Sequence, residues 1–195
     1  MRRVLVIDDH EPSRKHLITI LREGRCEIAG EGASGKLVAA MARSAAPEVV
    51  CMAVGLSDMD GIDATRRLMR LQPLPVVLTS SHYDAATVER AKQAGAMAFL
   101  VKPLRAAEVM PTIELAISRF HDFLSLRQEN SSLRENLAAR KWIERAKGLL
   151  MEQRKLTEEQ AYALMKKTSM NLRKPMVEIA QAIVLAGGVR KDDEG

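Results

Sequence analysis

What most constrains this chain is a series of short, nearly unbroken apolar runs alternating with helical periodicity through its first two thirds. The runs are Val4-Leu5-Val6-Ile7, Glu27-Ile28-Ala29-Gly30, Val49-Val50-Cys51-Met52, Val76-Val77-Leu78 and Ala98-Phe99-Leu100-Val101. A strand that is apolar on consecutive residues is buried on both faces, as in a parallel sheet covered by helices on either side. Helical patterns from Ser13 to Arg22 and from Ala85 to Ala94 supply that cover. The expectation is an α/β domain built on a five-stranded parallel sheet. Ligands of such sheets sit outside the carboxyl ends of the strands. There the sequence places Asp8 and Asp9 after the first run, Thr79 and Ser80 after the fourth, and Lys102-Pro103 after the fifth. Paired carboxylates suit a divalent cation, and a lysine with a hydroxyl suits phosphoryl oxygens.

These residues carry a resemblance. VLVIDD, the PEVVCM strand, Met59-Asp60-Gly61, LTS, and Gly95-Ala96 leading to Phe99-Leu100-Val101-Lys102-Pro103 resemble the response-regulator receiver family across the whole domain. The resemblance implies a flavodoxin-like, doubly wound sheet and a pocket of Asp8, Asp9, Thr79 and Lys102. It also implies Mg²⁺ at Asp8 and Asp9, a switch aromatic at Phe99, and a sensor histidine kinase as partner. One position departs from the pattern. The aspartate that accepts phosphate in receivers ends the third strand, and here that position is Ala53. A methyl group cannot form an acyl phosphate. Asp58, Asp60 and Asp63 belong to the following loop and helix, and Ser57 stands where receivers usually have a loop proline. Two histories stay open: a natural receiver signalled by something other than phosphate, or a recent or deliberate loss that left the other pocket residues in place.

From about Arg105 to Leu137 the pattern is helical, with no glycine and no proline after Pro111. Phe123, Leu126, Asn130, Leu133 and Leu137 recur at alternating spacings of three and four, the a and d positions of a short coiled coil. Asn130 falls at an a position, where a buried asparagine sets the register of a two-stranded pair. A parallel homodimer is expected, the competing reading being that the stripe packs on its own chain.

Beyond the connector three short helices are expected. The first runs from about Arg140 to Gln153 with Ile143, Ala146 and Leu150 inward. Thr157-Glu158-Glu159-Gln160 is a capping-box start for a second, carrying Ala161, Leu164 and Met165 inward and ending near Ser169. Pro175 suits the first turn of a third, whose Val177, Ile179, Ala180, Ile183 and Val184 face the others. Charge is concentrated here: Arg140 to Lys174 holds 10 Lys/Arg against 4 Glu, whereas the whole chain has 30 against 25. A phosphate backbone is the natural acidic partner of such a bundle.

The order Ala146-Lys147-Gly148-Leu149-Leu150-Met151, then Ala161-Tyr162, then Ala180 and Ile183 resembles the ANTAR module. That resemblance implies a non-enzymatic antitermination regulator that binds paired RNA hairpins in leader transcripts. The candidate phosphate contacts are Arg140, Arg145, Lys147, Lys166, Lys167, Arg173 and Lys174. Gly148 would allow close backbone approach, and Tyr162 either stacks on a base or belongs to the core. The expected domains are a receiver over 1–118, a coiled-coil linker over 119–137 and the RNA-binding module over 138–190. Alternative classes are a DNA-binding transcription regulator presenting a recognition helix, and an adaptor that sequesters a signalling partner.

Met1-Arg2-Arg3 followed by four apolar residues is too short for a signal peptide, and no apolar run approaches a membrane span. Cys26, Cys51 and the four histidines lack metal-type spacing. A cytoplasmic location is expected.

Overall fold

The structure, a computed structural model, describes residues 1–189. The expected end of the RNA-binding module at 190 lies outside the described residues. Contacts divide the chain into two compact units, Met1–Ser125 and a second that begins at Leu126.

The first unit is the expected parallel sheet, with strands β1 (Arg3–Ile7), β2 (Glu27–Gly32), β3 (Val49–Ala53), β4 (Val76–Ser80) and β5 (Ala98–Val101). Their order is β2-β1-β3-β4-β5, the doubly wound arrangement whose winding direction reverses between β1 and β3. In β1, β3 and β4 the apolar runs are buried on both faces as the argument requires, whereas the edge strands β2 and β5 are only partly buried. Val4 and Val6 join one core with α1 (Glu11–Glu23) and the start of α5 (Ala106–Arg154). Leu5 and Ile7 join the other with α2 (Val38–Ala45), α3 (Gly61–Leu71) and α4 (Ala85–Ala94). Each such side chain, fully buried, contributes roughly 1.5–3 kcal/mol of transfer free energy.

Helix α1 begins two residues ahead of the expected Ser13. His10 is its N-cap, with Nδ1 accepting from the Ser13 amide at 3.3 Å, and Pro12 lies in its first turn. The Met59-Asp60-Gly61 motif starts α3 by two separate devices. Asp60 Oδ1 accepts from the Ile62 amide at 2.7 Å, satisfying a helix-start donor. Gly61 lets the helix press against the end of β3: its amide donates to the Val54 carbonyl at 2.7 Å, and a Cβ at this position would stand 2.0 Å from the Ala53 carbonyl oxygen.

In the second unit the first helix is the continuation of α5, which runs unbroken for 49 residues. Helices α6 (Glu158–Leu172) and α7 (Met176–Val189) complete a small bundle. Ala146, Leu150, Ala161, Met165, Ala180 and Val184 are buried at its centre, with Trp142, Ile143, Leu164 and Ile183 packed around them. The capping box at α6 is present in both halves, Thr157 Oγ accepting from the Gln160 amide at 3.2 Å and Gln160 Oε1 from the Thr157 amide at 2.9 Å. Helix α6 runs three residues past the expected Ser169 and closes on Arg173 in the left-handed region (φ 52°). Among the described residues no helix is long and apolar enough to cross a membrane.

The close approach at Gly61 sets a clear expectation. Gly61→Ala forces backbone against backbone and should cost roughly 2–3 kcal/mol, an overpacking penalty. Chemical denaturation of the full chain measures it; an unchanged midpoint would show that the α3 start can shift freely.

Candidate functional site

At the carboxyl ends of the strands, Asp8 follows β1 and is almost wholly buried, 3% exposed. Both of its oxygens are taken. Lys102 Nζ, beyond the end of β5, donates to Oδ2 at 2.6 Å, and the His10 amide donates to Oδ1 at 3.0 Å. Asp9 Oδ2 accepts from the Ser57 amide at 2.8 Å, tying the β1 end to the loop after β3. Ala53 and Thr79 are direct register partners at the ends of β3 and β4, and both are buried. Phe99, half-buried in β5, packs against the core that holds Leu78 and Ala91. An open cleft of about 690 Å³ runs past Asp8, Asp9, His10, His16, Gly55 and Lys102. Asp8, Asp9, Thr79, Lys102 and Ala53 thus converge on one sheet edge.

The carboxylates near Ala53 are each committed elsewhere. Asp58 accepts from Ser34 Oγ at 2.6 Å and the Gly35 amide at 2.9 Å. The Ser34 hydroxyl, helped by backbone amides, holds the Asp58 carboxyl below the usual range. Asp60 caps α3 and pairs with Arg90 at 3.0 Å, and Asp63 pairs with Arg66. None is free to stand in at position 53.

Asp8 and Asp9 are the residues that would hold Mg²⁺, an ion that proteins bind through one or two carboxylates with water completing its shell. In this structure Asp8 is paired with Lys102, and position 53 adds a methyl rather than a further carboxylate. Among the described residues no group of three or more His, Cys, Asp or Glu side chains is placed to hold a metal.

In the second unit, Arg140, Arg145, Lys166, Lys167, Arg173 and Lys174 are exposed, Lys174 also reaching Glu178 at 3.3 Å. Gly148 is exposed, and a Cβ there would meet nothing within 4 Å. No packing among the described residues requires a glycine at this mid-helix position, where it costs about 1 kcal/mol relative to alanine. Tyr162 is 46% exposed, so the core reading for it is excluded.

Lys147 is a correction. Placed among the phosphate contacts by its charge, it is instead buried, 8% exposed, with Nζ bonded to Glu144 at 2.9 Å and Glu158 at 2.7 Å. Its stem lies against the bundle while both carboxylates satisfy its head, joining α5 to the first residue of α6. Glu158, then Glu144, hold its ammonium above the usual lysine range, and Lys147 in turn holds Glu158 below the usual carboxylate range. The Glu144–Lys147 spacing was visible in the sequence, but Glu158 lies across a turn whose course only the fold fixes. Cys26 and Cys51 are free and buried, the Cys51 thiol pushed up to about 12 by burial.

A five-stranded doubly wound sheet with this pocket defines the class of phosphotransfer receiver domains, here lacking the acceptor. The response regulator receiver domain family matches residues 4–114, and the ANTAR domain family matches residues 131–184. The chain belongs to the response regulators that join a receiver domain to an ANTAR domain. It is 38% identical over 191 residues, 98% of this chain and 93% of the relative, to the transcriptional regulatory protein PdtaR of Mycobacterium tuberculosis. It is 31% identical to the chemotaxis protein CheY of Thermotoga maritima over 57% of this chain and 94% of that one. Among solved structures, the receiver domain of the putative response regulator NarL from Mycobacterium tuberculosis superposes with a TM-score of 0.57 at 27% identity, covering 60% of this chain and 96% of that one.

Two expectations follow from these ion pairs. Lys102→Ala leaves Asp8 buried and unpaired and should destabilise the first unit by about 3–5 kcal/mol. Asp8→Asn with Lys102→Met should recover most of that loss, as read by denaturation midpoints. Equal losses for the single and double variants would show that the pair carries no shared energy. For Glu158, whose folded pKa is depressed, the contribution is present above its ordinary value of 4.5 and fades as pH falls through the folded value. Melting curves of the parent chain and Glu158→Gln should therefore differ near neutral pH and converge in acid; divergence in acid would contradict the pairing.

Proposed function

We propose that this chain binds RNA hairpins in leader transcripts through its second unit and promotes antitermination, acting as a homodimer. The observation that carries this reading is the small helical bundle whose surface exposes Arg140, Arg145, Lys166, Lys167, Arg173 and Lys174, together with a tyrosine and a sterically open glycine. Stem phosphates suit the cations, an unstacked loop base suits Tyr162, and Gly148 leaves room for a backbone or sugar. Lys147, with Glu144 and Glu158, holds the bundle that carries these groups.

The dimer reading rests on the connector. Phe123, Leu126, Leu133 and Leu137 are 39%, 66%, 55% and 62% exposed, so the stripe is not covered by its own chain. In the frame that puts Asn130 at a, Asp122 and Glu129 fall at g, and Arg127 and Arg134 at e. A parallel pair sets Asp122 against Arg127 and Glu129 against Arg134 of the other chain, whereas an antiparallel pair sets like against like. None of these four forms an ion pair within the described residues.

In the first unit, Ala53 removes the acceptor, so phosphoryl transfer at that position is closed and a sensor kinase could act only by binding. The protein is regulatory rather than enzymatic, and a cytoplasmic site of action follows from a transcript as target.

Filter binding of the full chain to an RNA with two short-loop hairpins, against scrambled RNA and duplex DNA over a salt series, tests the main reading. Hairpin preference with a steep salt slope is expected; equal binding to scrambled RNA, or a preference for duplex DNA, sinks it. Leu133→Glu places a charge in the seam and should yield monomers on sedimentation, with a greater loss on two-hairpin than on one-hairpin RNA. An intact dimer would mean that another surface joins the chains. Acetyl phosphate should leave the mass of the chain unchanged but add a phosphoryl group to Ala53→Asp, which restores the missing carboxylate beside Thr79 and Lys102; an adduct on the parent chain would reveal another acceptor.

A further inference from the structure

Helix α3 carries a feature that neither the pocket nor the bundle uses. On its outer side Arg66, Arg67 and Arg70, with Asp63 and Leu71, line an open groove of about 350 Å³. Asp63 pairs with Arg66, whereas Arg67 and Arg70 are exposed and enter no ion pair with the described residues. Three cations at spacings of three and four on one helix repel one another and weaken the helix by a few tenths of a kcal/mol per pair. Arg70, in the last turn, is favoured by the helix dipole, but Arg67 is a turn earlier and gains little from it. All three are arginines, whose planar forks fit phosphate oxygens two at a time. The two arginines outside the Asp63 pair, Arg67 and Arg70, stand three residues apart, about 4.5 Å along the axis, close enough for their forks to take neighbouring phosphates of one strand.

We infer that this groove on the receiver is a second RNA contact, which takes the sugar-phosphate backbone of RNA flanking the hairpins. The assignment rests on the RNA reading of the second unit. The second unit of the same chain is the RNA-binding module in that reading, so phosphodiester oxygens are the anions this chain is proposed to meet, and they suit arginine forks. An acidic protein segment would meet the same guanidinium groups, and the titration below separates the two.

The full chain is titrated with two RNAs that carry the same hairpin pair, one bare and one with single-stranded flanks. Arg67→Gln with Arg70→Gln should weaken binding of the flanked RNA about tenfold at moderate salt and lower its log–log salt slope by roughly 1.4, two single-strand phosphate contacts. Binding of the bare pair should be unchanged. Arg67→Lys with Arg70→Lys, which keeps the charge, should retain the slope and so separates a lost contact from a disturbed fold. Parent-level affinity and slope on the flanked RNA, equal losses on both RNAs, or a loss by the Lys pair matching that of the Gln pair would each overturn the assignment. So would a defect seen only with polyglutamate, which would make the groove an acidic-protein contact. Failure of the parent chain to prefer hairpins over scrambled RNA is a different result and overturns the RNA reading itself.

Discussion

One helix must satisfy two separate cores. Helix α5 buries Val109, Ile113, Ala116, Ile117 and Phe120 in the first unit, and Ala146 and Leu150 in the second, without a break in its backbone. The residues between owe nothing to either core, and there the helix exposes its seam of Phe123, Leu126, Asn130, Leu133 and Leu137. A helix draws most of its stability from tertiary packing rather than from its own propensity. This one is anchored at both ends by packing, which lets its middle remain helical while its apolar stripe is open to a partner.

The pocket obeys a different constraint, that buried charge must be paired. In the absence of an acceptor carboxylate, Lys102 bonds Asp8 directly, and Asp9 is spent on the Ser57 amide. Every buried side-chain polar atom among the described residues has a partner. The cluster therefore does not need a ligand to be stable, and its persistence beside Ala53 is no thermodynamic puzzle. Removing either Asp8 or Lys102 alone would leave the other buried without its ion-pair partner.

The sheet was legible because burial writes itself as continuous apolar runs: four strands begin at Glu27, Val49, Val76 and Ala98, where their runs open, and β1 begins one residue ahead of Val4. The capping box at Thr157 was legible because its chemistry is local. Less legible were features that depend on what the fold brings near. Lys147 looks like its basic neighbours in sequence, and only the path of the chain from Arg154 to Glu158 reveals that two glutamates claim it. Likewise the stop of α6 moved from Ser169 to Leu172 because Arg173 accepts a left-handed backbone, a choice that its side chain does not announce. Tyr162 was ambiguous on spacing alone, since a residue next to buried Ala161 can point either way.

Magnitudes bear on how the seam can work. Four apolar residues per chain, each contributing roughly 1.5–3 kcal/mol on full burial, give a gross gain of about 12–24 kcal/mol for a pair. Association costs about 4–15 kcal/mol, and partial burial with an asparagine at a core position reduces the gain further. These opposing contributions are of similar size, so the seam alone specifies orientation more firmly than it secures assembly. In the proposed dimer, two hairpins on one RNA would supply the missing part, because two bound bundles would hold their connectors at high effective concentration. By linkage, whatever favours the paired connectors tightens RNA binding by the same factor, and RNA binding favours the pair in return. A receiver that cannot be phosphorylated at Ala53 can still bias that balance, provided its partners bind the paired and unpaired forms of the chain with different affinity.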